Sequence, residues 1–325
     1  MPGGASTRKY YRVPLDVGRS AVAMFVPDGP KAEEIGKGQQ GSRWPFLEVR
    51  DLLEARGVHV PRILGEDTES GWLLIEDLGD DTLANYLLAH PEDKAALYTI
   101  AVTDLARAQV ALADLPEGCV VRQRAFDEDL LRWEIEHFRE WAVEARGFAF
   151  APSDQATFTE LAERFAKRVA ALPQGFVHRD YQSRNLMVRA ASGAAPELVW
   201  LDFQDALLGP RAYDLVALLG DSYQEFDAAF IDARQTEYAA AHGLTSAERS
   251  ELSFQFDLIT VQRKLKDAGR FVFIDRVKGN ASFLSFVTPT IHKVMAALDH
   301  LGSDADACAL AALLQRTLPE ETRQP

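Results

Sequence analysis

The spacing of hydrophobic and polar positions changes character near residue 80. Before that point the chain alternates short β-rich runs with turns. "KYYRV" (9–13) and "AVAMFV" (21–26) predict two strands across the turn-prone "PLDVGRS". "WPFLEVRDLLEARG" then carries apolar residues at helical spacing, with Pro45 near its start and Gly57 after its end. "GWLLIEDL" reads as another short buried strand, bounded by Gly71 and Gly79. From Thr82 onward the period is helical. "DLLRWEIEHFREWAVEARG" carries a long amphipathic stripe, and "TSAERSELSFQFDLITVQRKL" opens with a capping box of Thr245 and Glu248. Two short strands interrupt these helices, one over 186–189 and one in "ELVWLDF". The pattern predicts an α+β, bilobal chain: a small β-rich N-lobe over residues 1–78 and a larger, mainly helical C-lobe over 79–325, hinged at "LGDDT".

Composition narrows the function classes. A length of 325 residues, with 47% hydrophobic and 26% charged positions, suits two sizeable cores. A net charge of −14 argues against nucleic acid as a partner, since phosphate backbones need basic surface. Two cysteines, Cys119 and Cys308, are too few for a disulfide framework and suit a reducing compartment. The start "MPGGASTRKYYRV" shows no apolar signal region, and no run approaches the roughly 18 to 20 apolar residues that span a bilayer. The expectation is a cytoplasmic protein with neither membrane nor nucleic-acid partners.

One stretch carries chemistry. "FVHRDYQSRNLMV" spaces His178, Asp180 and Asn185 as H-x-D-x-x-x-x-N, and the later strand "LVWLDFQD" ends in Asp202. Phosphoryl transfer to a hydroxyl needs a carboxylate that accepts the hydroxyl proton. It also needs oxygen ligands for Mg²⁺, a hard cation that holds the ATP phosphates. Asp180 fits the base; Asn185 and Asp202 fit the metal ligands. A polar hairpin would also use Asp and Asn, but the joint spacing beside two apolar strands favours the kinase reading. His178 reads as a buried brace of the loop rather than a proton carrier.

These residues resemble the kinase-like fold, and more narrowly the aminoglycoside and choline phosphotransferase family. "GPRAYDLVALLGDS" supports the narrower match, because its Asp214 is similar to the family Asp that anchors the catalytic loop. Only twelve positions separate Asp202 from Asp214, which leaves no room for an activation segment, so no protein substrate is expected. "GASTRKYYRV", "FDEDLLRWEIEHFREW", "HRDYQSRNLMV", "LDFQDALLGPRAYDLVALLGDSY" and "VQRKLKDAGRF" together resemble the anomeric kinases that act on N-acetylmuramate and N-acetylglucosamine in peptidoglycan recycling. The resemblance implies ATP and Mg²⁺ as cofactors and a small-molecule sugar as acceptor.

The chain departs from the kinase pattern in two places. Met24 stands where a strand lysine would grip the nucleotide phosphates, and Glu48, without that lysine, reads as part of a solvated helix face. Arg8 or Lys9, beside a small-residue loop containing Gly4 and Ser6, could supply the charge and backbone N–H groups instead. That loop begins almost at Met1, so the N-lobe reads as truncated at its start. Adenine would meet the main chain of the hinge at Glu76 and Leu78. For the acceptor, "QRKLKDAGRFVFIDRVKG" is rich in cations, and Arg263 and Lys266 suit a carboxylate-bearing sugar. Glu134 and Trp141, seven apart, would share one helix side and suit sugar hydroxyls and the apolar ring face. Two other readings stay open: a kinase of aminoglycosides, choline or another small alcohol, and a non-catalytic nucleotide-binding pseudokinase.

Overall fold

A computed structural model describes residues 8–16, 18–27, 43–189 and 196–323; Gly4 and Ser6 lie outside them. The chain forms two compact units, Met1–Ala125 with Phe176–Leu208, and Phe126–Gly175 with Gly209–Pro325. The expected boundary at residue 78 therefore falls inside the first unit.

In the first unit, strands β1 (Lys9–Pro14) and β2 (Ser20–Phe25) precede helix α1 (Pro45–Ala55). Strands β3 (Ile63–Asp67) and β4 (Trp72–Glu76) follow. They make a four-stranded antiparallel sheet in the order β1-β2-β4-β3. The sequence gives no period-2 signal for β3, whose polar Glu66 and Asp67 sit beyond a register irregularity between Ile63 and Gly65. Alternate residues Val22, Met24, Leu73 and Ile75 bury one sheet face with Leu47 of α1. Met24 is 1% exposed, so it packs the core where a lysine would otherwise reach out. Pro45 opens α1 at a position where its missing N–H costs nothing. Glu48 is half-buried, not solvated: its carboxylate accepts the Val120 N–H at 2.7 Å. That partner lies far away in sequence, which spacing alone does not reveal.

Helices α2 (Leu83–Ala89) and α3 (Lys94–Ala111) follow, the first capped by the Thr82 hydroxyl, which accepts the Asn85 N–H. The second unit then holds α4 (Glu128–His137) and α5 (Pro152–Ala170). Strand β5 (Gln174–Val177) carries the chain back into the first unit, where β6 (Leu186–Arg189) and β7 (Glu197–Trp200) pair as an antiparallel hairpin. Strand β8 (Leu207–Pro210) leads out again to α6 (Tyr213–Leu219), α7 (Ala228–His242), α8 (Ser246–Lys278), α9 (Val287–His300) and α10 (Ala305–Thr317).

The expected capping box opens α8, with Thr245 and Glu248 each satisfying the other's backbone N–H. The long amphipathic helix expected up to Gly147 stops at His137. A π turn over Phe138–Val143 and a 3₁₀ turn over Glu144–Arg146 continue it. Across the packing interface at Gly269 of α8, an added Cβ would sit 2.5 Å from the His137 carbonyl oxygen. The two backbones touch there because one partner has no side chain. Residues Ala281–His300 are long and apolar enough to cross a membrane by length and composition alone, although Ser, Thr, Pro, His, Lys and Asp interrupt the apolar positions, so no unbroken apolar run is formed. The apolar stripe Val287, Ile291, Val294 and Leu298 is buried in the unit that α9 shares with α8.

Candidate active site

The β6–β7 hairpin sets the site. Its register pairs Leu186 with Trp200, and the ladder continues one step further as the Leu201 N–H donates to the Asn185 carbonyl at 2.8 Å. Asn185 thus lies beside the segment that ends in Asp202. The Asn185 side-chain amide donates to the Asp180 carbonyl at 2.8 Å. With its nitrogen committed, the Oδ1 atom is left to act as an acceptor. Two residues of this region take left-handed backbone conformations, Arg179 at φ 80° and Asp202 at φ 61°. For residues other than glycine such angles cost about 1–3 kcal/mol and persist where the surroundings impose them.

The surroundings that impose them are aromatic. Tyr181 is fully buried, donates to the Ala101 carbonyl of α3 at 2.9 Å, and meets Trp200 edge-on at 4.6 Å. His178 is also fully buried, 5.7 Å from both rings. Gln109 of α3 donates to the Phe176 carbonyl at 3.1 Å. The hairpin is held from the other side by Val188 N–H to the Asp81 carbonyl and Trp200 N–H to the His59 carbonyl, each 2.8 Å. Beyond Asp202, Phe203 stacks on Phe46 of α1 at 5.1 Å, and Gln204 donates to the Asp202 carboxylate at 2.8 Å.

The electrostatics suit a divalent cation. Close packing removes solvation from the Asp202 carboxyl and raises its pKa, and the nearby negative Asp180 raises it further. One side of Asp202 stays open nonetheless, with 46% of the side chain exposed. The Asp202 carboxylate and the Asn185 amide oxygen are hard oxygen donors of the kind that fits Mg²⁺, with the Asp180 carboxylate nearby. Arg8, only 7% exposed, brings its guanidinium to 3.7 Å from the Asp202 carboxylate, whereas Lys9 is exposed.

The hinge carries a network that the sequence did not reveal. Arg12 of β1 donates to Asp77 at 2.7 and 3.1 Å, to Asp80 at 2.9 and 3.1 Å, and to the Gly79 carbonyl at 3.3 Å. Ser20 of β2 adds a bond to Asp77 at 2.6 Å. Desolvation pushes the Asp77 carboxyl up, but the bonds from Ser20 and Arg12 outweigh it and leave its pKa lowered. The Glu76 N–H is spent on the Arg62 carbonyl and the Gly79 N–H on the Asp77 carboxylate. Of the two expected adenine-facing positions, half-buried Leu78 is therefore the one that can carry a donor role; the Glu76 side chain pairs instead with Arg62 and Arg189. Hinge, loop and Arg8 all belong to the first unit.

The residues expected at the acceptor lie in the second unit. Glu134 is 1% exposed and accepts from Gln262 at 2.8 Å, and Arg263 is fully buried with its guanidinium 4.7 Å over the Tyr213 ring. Both face protein rather than solvent, which differs from the expected acceptor-facing role. The long apolar stem of an arginine and the low cost of stacking it on an aromatic ring allow this burial. Lys266 keeps 17% of its side chain exposed. Trp141 does not continue the helix side of Glu134, because the π turn intervenes; it packs edge-on against Phe273 at 5.0 Å. Asp214 is fully buried in the first turn of α6.

Comparison with known proteins supplies context. Residues 1–250 match the family model described as the phosphotransferase enzyme family. The N-acetylmuramate/N-acetylglucosamine kinase of Pseudomonas putida is 33% identical over 288 residues, covering 87% of this chain and 78% of that protein. The choline kinase LicA of Streptococcus pneumoniae superposes with a TM-score of 0.61 at 16% identity, over 92% of each chain. The GDP complex of aminoglycoside 2'-phosphotransferase-IIIa superposes with a TM-score of 0.57 at 15% identity, over 90% of each chain. The fold is kinase-like, with a small β-sheet N-terminal region and a larger, mostly helical part.

Burial of His178 has a measurable consequence. It lowers the imidazole from 6.5 to about 4, against the opposing pull of Asp180. Below pH 6.5 the unfolded chain takes up a proton that the folded chain refuses until about pH 4. The stability tied to neutral His178 is thus complete above pH 6.5 and is lost as pH falls toward 4. The expected loss is about 3 kcal/mol near pH 4.5, read by urea denaturation against neutral pH. His137, also held at about 4, contributes in the same direction. The test is therefore the difference in pH slope between wild type and His178→Asn, and equal slopes would clear His178 of the effect.

Proposed function

From the premise that this chain belongs to the phosphotransferase enzyme family, we propose that it transfers the γ-phosphoryl group of ATP to the anomeric hydroxyl of an N-acetylated amino sugar, N-acetylmuramate or N-acetylglucosamine. The observation that carries the phosphoryl-transfer part is the ladder bond from Leu201 to Asn185, which puts Asn185 beside Asp202 in the loop that also presents Asp180. The acceptor rests on the relatives that bear that substrate in their names across most of their length.

In this reading Asp180 accepts the proton of the attacking hydroxyl. Asn185 and Asp202 hold the metal, and Mg²⁺, when bound, neutralises phosphate charge and orients the transferred group. Leu78 meets the adenine through its main chain, with Glu76 beside it fixing the hinge. Arg8 takes the place of the absent strand lysine: Met24 is sealed in the core, while the Arg8 guanidinium already lies against Asp202. This substitution is why Met24 does not imply a pseudokinase. His178 braces the loop as a neutral ring.

Three outcomes test the proposal. Incubated with ATP, Mg²⁺ and a panel of amino sugars, aminoglycosides and choline, the protein should yield a sugar 1-phosphate. Asp180→Asn should lower that turnover by roughly 10² to 10⁴-fold with nucleotide binding intact. A C6-phosphorylated product, or activity confined to aminoglycosides or choline, sinks the acceptor assignment.

Asn185→Ala and Asp202→Asn should each raise the Mg²⁺ concentration for half-maximal rate by about tenfold or abolish turnover. Asparagine is chosen at 202 because it tolerates the left-handed backbone. Wild-type magnesium dependence in both variants would make the loop a structural turn.

Arg8→Ala should raise the KM for ATP by about tenfold, while Lys9→Ala should leave it within twofold. Equal effects of the two would deny Arg8 its particular role.

A further inference from the structure

Strand β1 stands at the edge of its sheet and, among the described residues, pairs with β2 alone. An edge strand has a ladder on one side only, so its placement depends on what holds its ends. Its side chains alternate between the two sheet faces. Tyr11 belongs to the outer face, 49% exposed and 6.1 Å from Trp72. Tyr10 and Arg12 stand opposite Met24 and Val22, and Tyr10 packs against the core cluster that holds those two residues. Arg8, one step before the strand, falls in the same alternation. The inner side of β1 therefore runs Arg8, Tyr10, Arg12, with a cation at each end.

Each cation is bonded to one end of the expected nucleotide site. Arg8 lies 3.7 Å from Asp202. Arg12 gives one edge of its guanidinium, Nε and Nη2, to Asp77 at 2.7 and 3.1 Å. It gives the other edge, Nη1 and Nη2, to Asp80 at 3.1 and 2.9 Å. Asp77 is itself fixed, because its carboxylate also accepts from Ser20 and from the Gly79 N–H. From the hinge the bonds continue through the Asp81 carbonyl to the Val188 N–H of β6. The hairpin leads back through Asn185 and Leu201 to Asp202, and so to Arg8. The circuit closes, and every member lies in the first unit. At the rise of a strand, Arg8 to Arg12 spans about 13 Å and Asn185 to Val188 about 10 Å.

We infer that Arg12 is a positioning residue for the nucleotide: it ties the edge strand to the hinge, and so sets where Arg8, four residues earlier, meets Asp202 and the phosphates. This rests on the reading above, in which the base meets Leu78 and the phosphates meet Arg8. A guanidinium bound along two edges resists both sliding and peeling of β1, which a single contact does not. With the fork opened, the ladder to β2 alone locates the strand, and Arg8 at its far end loses its aim. The base end and the phosphate end of the site are thus set together by one strand.

The test combines steady-state kinetics, Mg·ATP calorimetry and hydrogen exchange on the full chain. Arg12→Gln should raise the KM for ATP about fivefold, while kcat and the KM for the sugar stay within twofold. In an Arg8→Ala background the same change should add less than twofold, because the two arginines act through one strand. An ordinary surface ion pair would leave the KM for ATP unchanged. A hinge clamp independent of Arg8 would multiply its effect with that of Arg8→Ala. Either outcome overturns the inference. Should Arg12→Gln fail to fold, Asp80→Asn opens half of the fork at a carboxylate that is 72% exposed. It should raise the KM about threefold, again without adding to Arg8→Ala. Exchange needs no turnover: Arg12→Gln should speed it about tenfold at the β1 amides bonded to β2, relative to β4. If wild type binds no Mg·ATP, the reading above falls, and the placement of β1 by Arg12 is judged by exchange alone. Faster exchange in β1 sustains it, and unchanged exchange overturns it.

Discussion

Everything in the phosphoryl-transfer loop depends on the register of one short hairpin. Four paired residues on each strand fix the ladder, and the next rung joins Asn185 to Leu201. A slip of one residue would turn every side chain of a strand to the opposite face. Asn185 would then lose Asp202 as a neighbour. The register is secured by burial, since Leu186, Met187, Val188, Leu198, Val199 and Trp200 all leave solvent. It is also secured by cross-bonds to His59 and Asp81. Hydrophobic packing thus positions a polar site in which the polar groups themselves repel.

The protein solves two charge problems by displacement. In the sheet, Met24 gives up the lysine position to the core, and Arg8 brings a cation to Asp202 from the start of the preceding strand. At the hinge, Arg12 gathers Asp77 and Asp80, so that two carboxylates next to a glycine do not push the turn apart. Arg12 uses several donors on a planar group, which a lysine could not do with the same geometry. The acidic total of the chain therefore says little about its local fields.

Much of this was legible in the sequence because it is local. Strands β1, β2 and β4, helix α1, the capping box of α8 and the spacing of Asp180, Asn185 and Asp202 all follow from short-range pattern. What escaped was non-local. Strand β3 exists because β4 offers it a ladder, not because Glu66 and Asp67 favour a sheet. Glu48 looks solvated until Val120, seventy-two residues on, donates to it. Arg263 reads as a surface cation in a charged run, yet Tyr213 and Asp267 take it in. The close approach of α8 to the His137 carbonyl depends on Gly269, on a different helix. Glycine there was the available signal, but only the packing gives it meaning.

The first unit is discontinuous: its sheet and hinge lie within Met1–Ala125, while its hairpin lies within Phe176–Leu208. During synthesis the early portion must wait for the intervening fifty residues before Val188 can reach Asp81 and Trp200 can reach His59. Closing loops of that size costs entropy before any contact repays it, and slows folding. The hairpin that carries Asn185 and leads to Asp202 therefore joins the early sheet only after the fifty residues of 126–175 have emerged. A ribosome stalled before residue 200 would carry a nearly finished sheet with a site that cannot yet assemble, so partial products of translation should be inert toward nucleotide-driven chemistry.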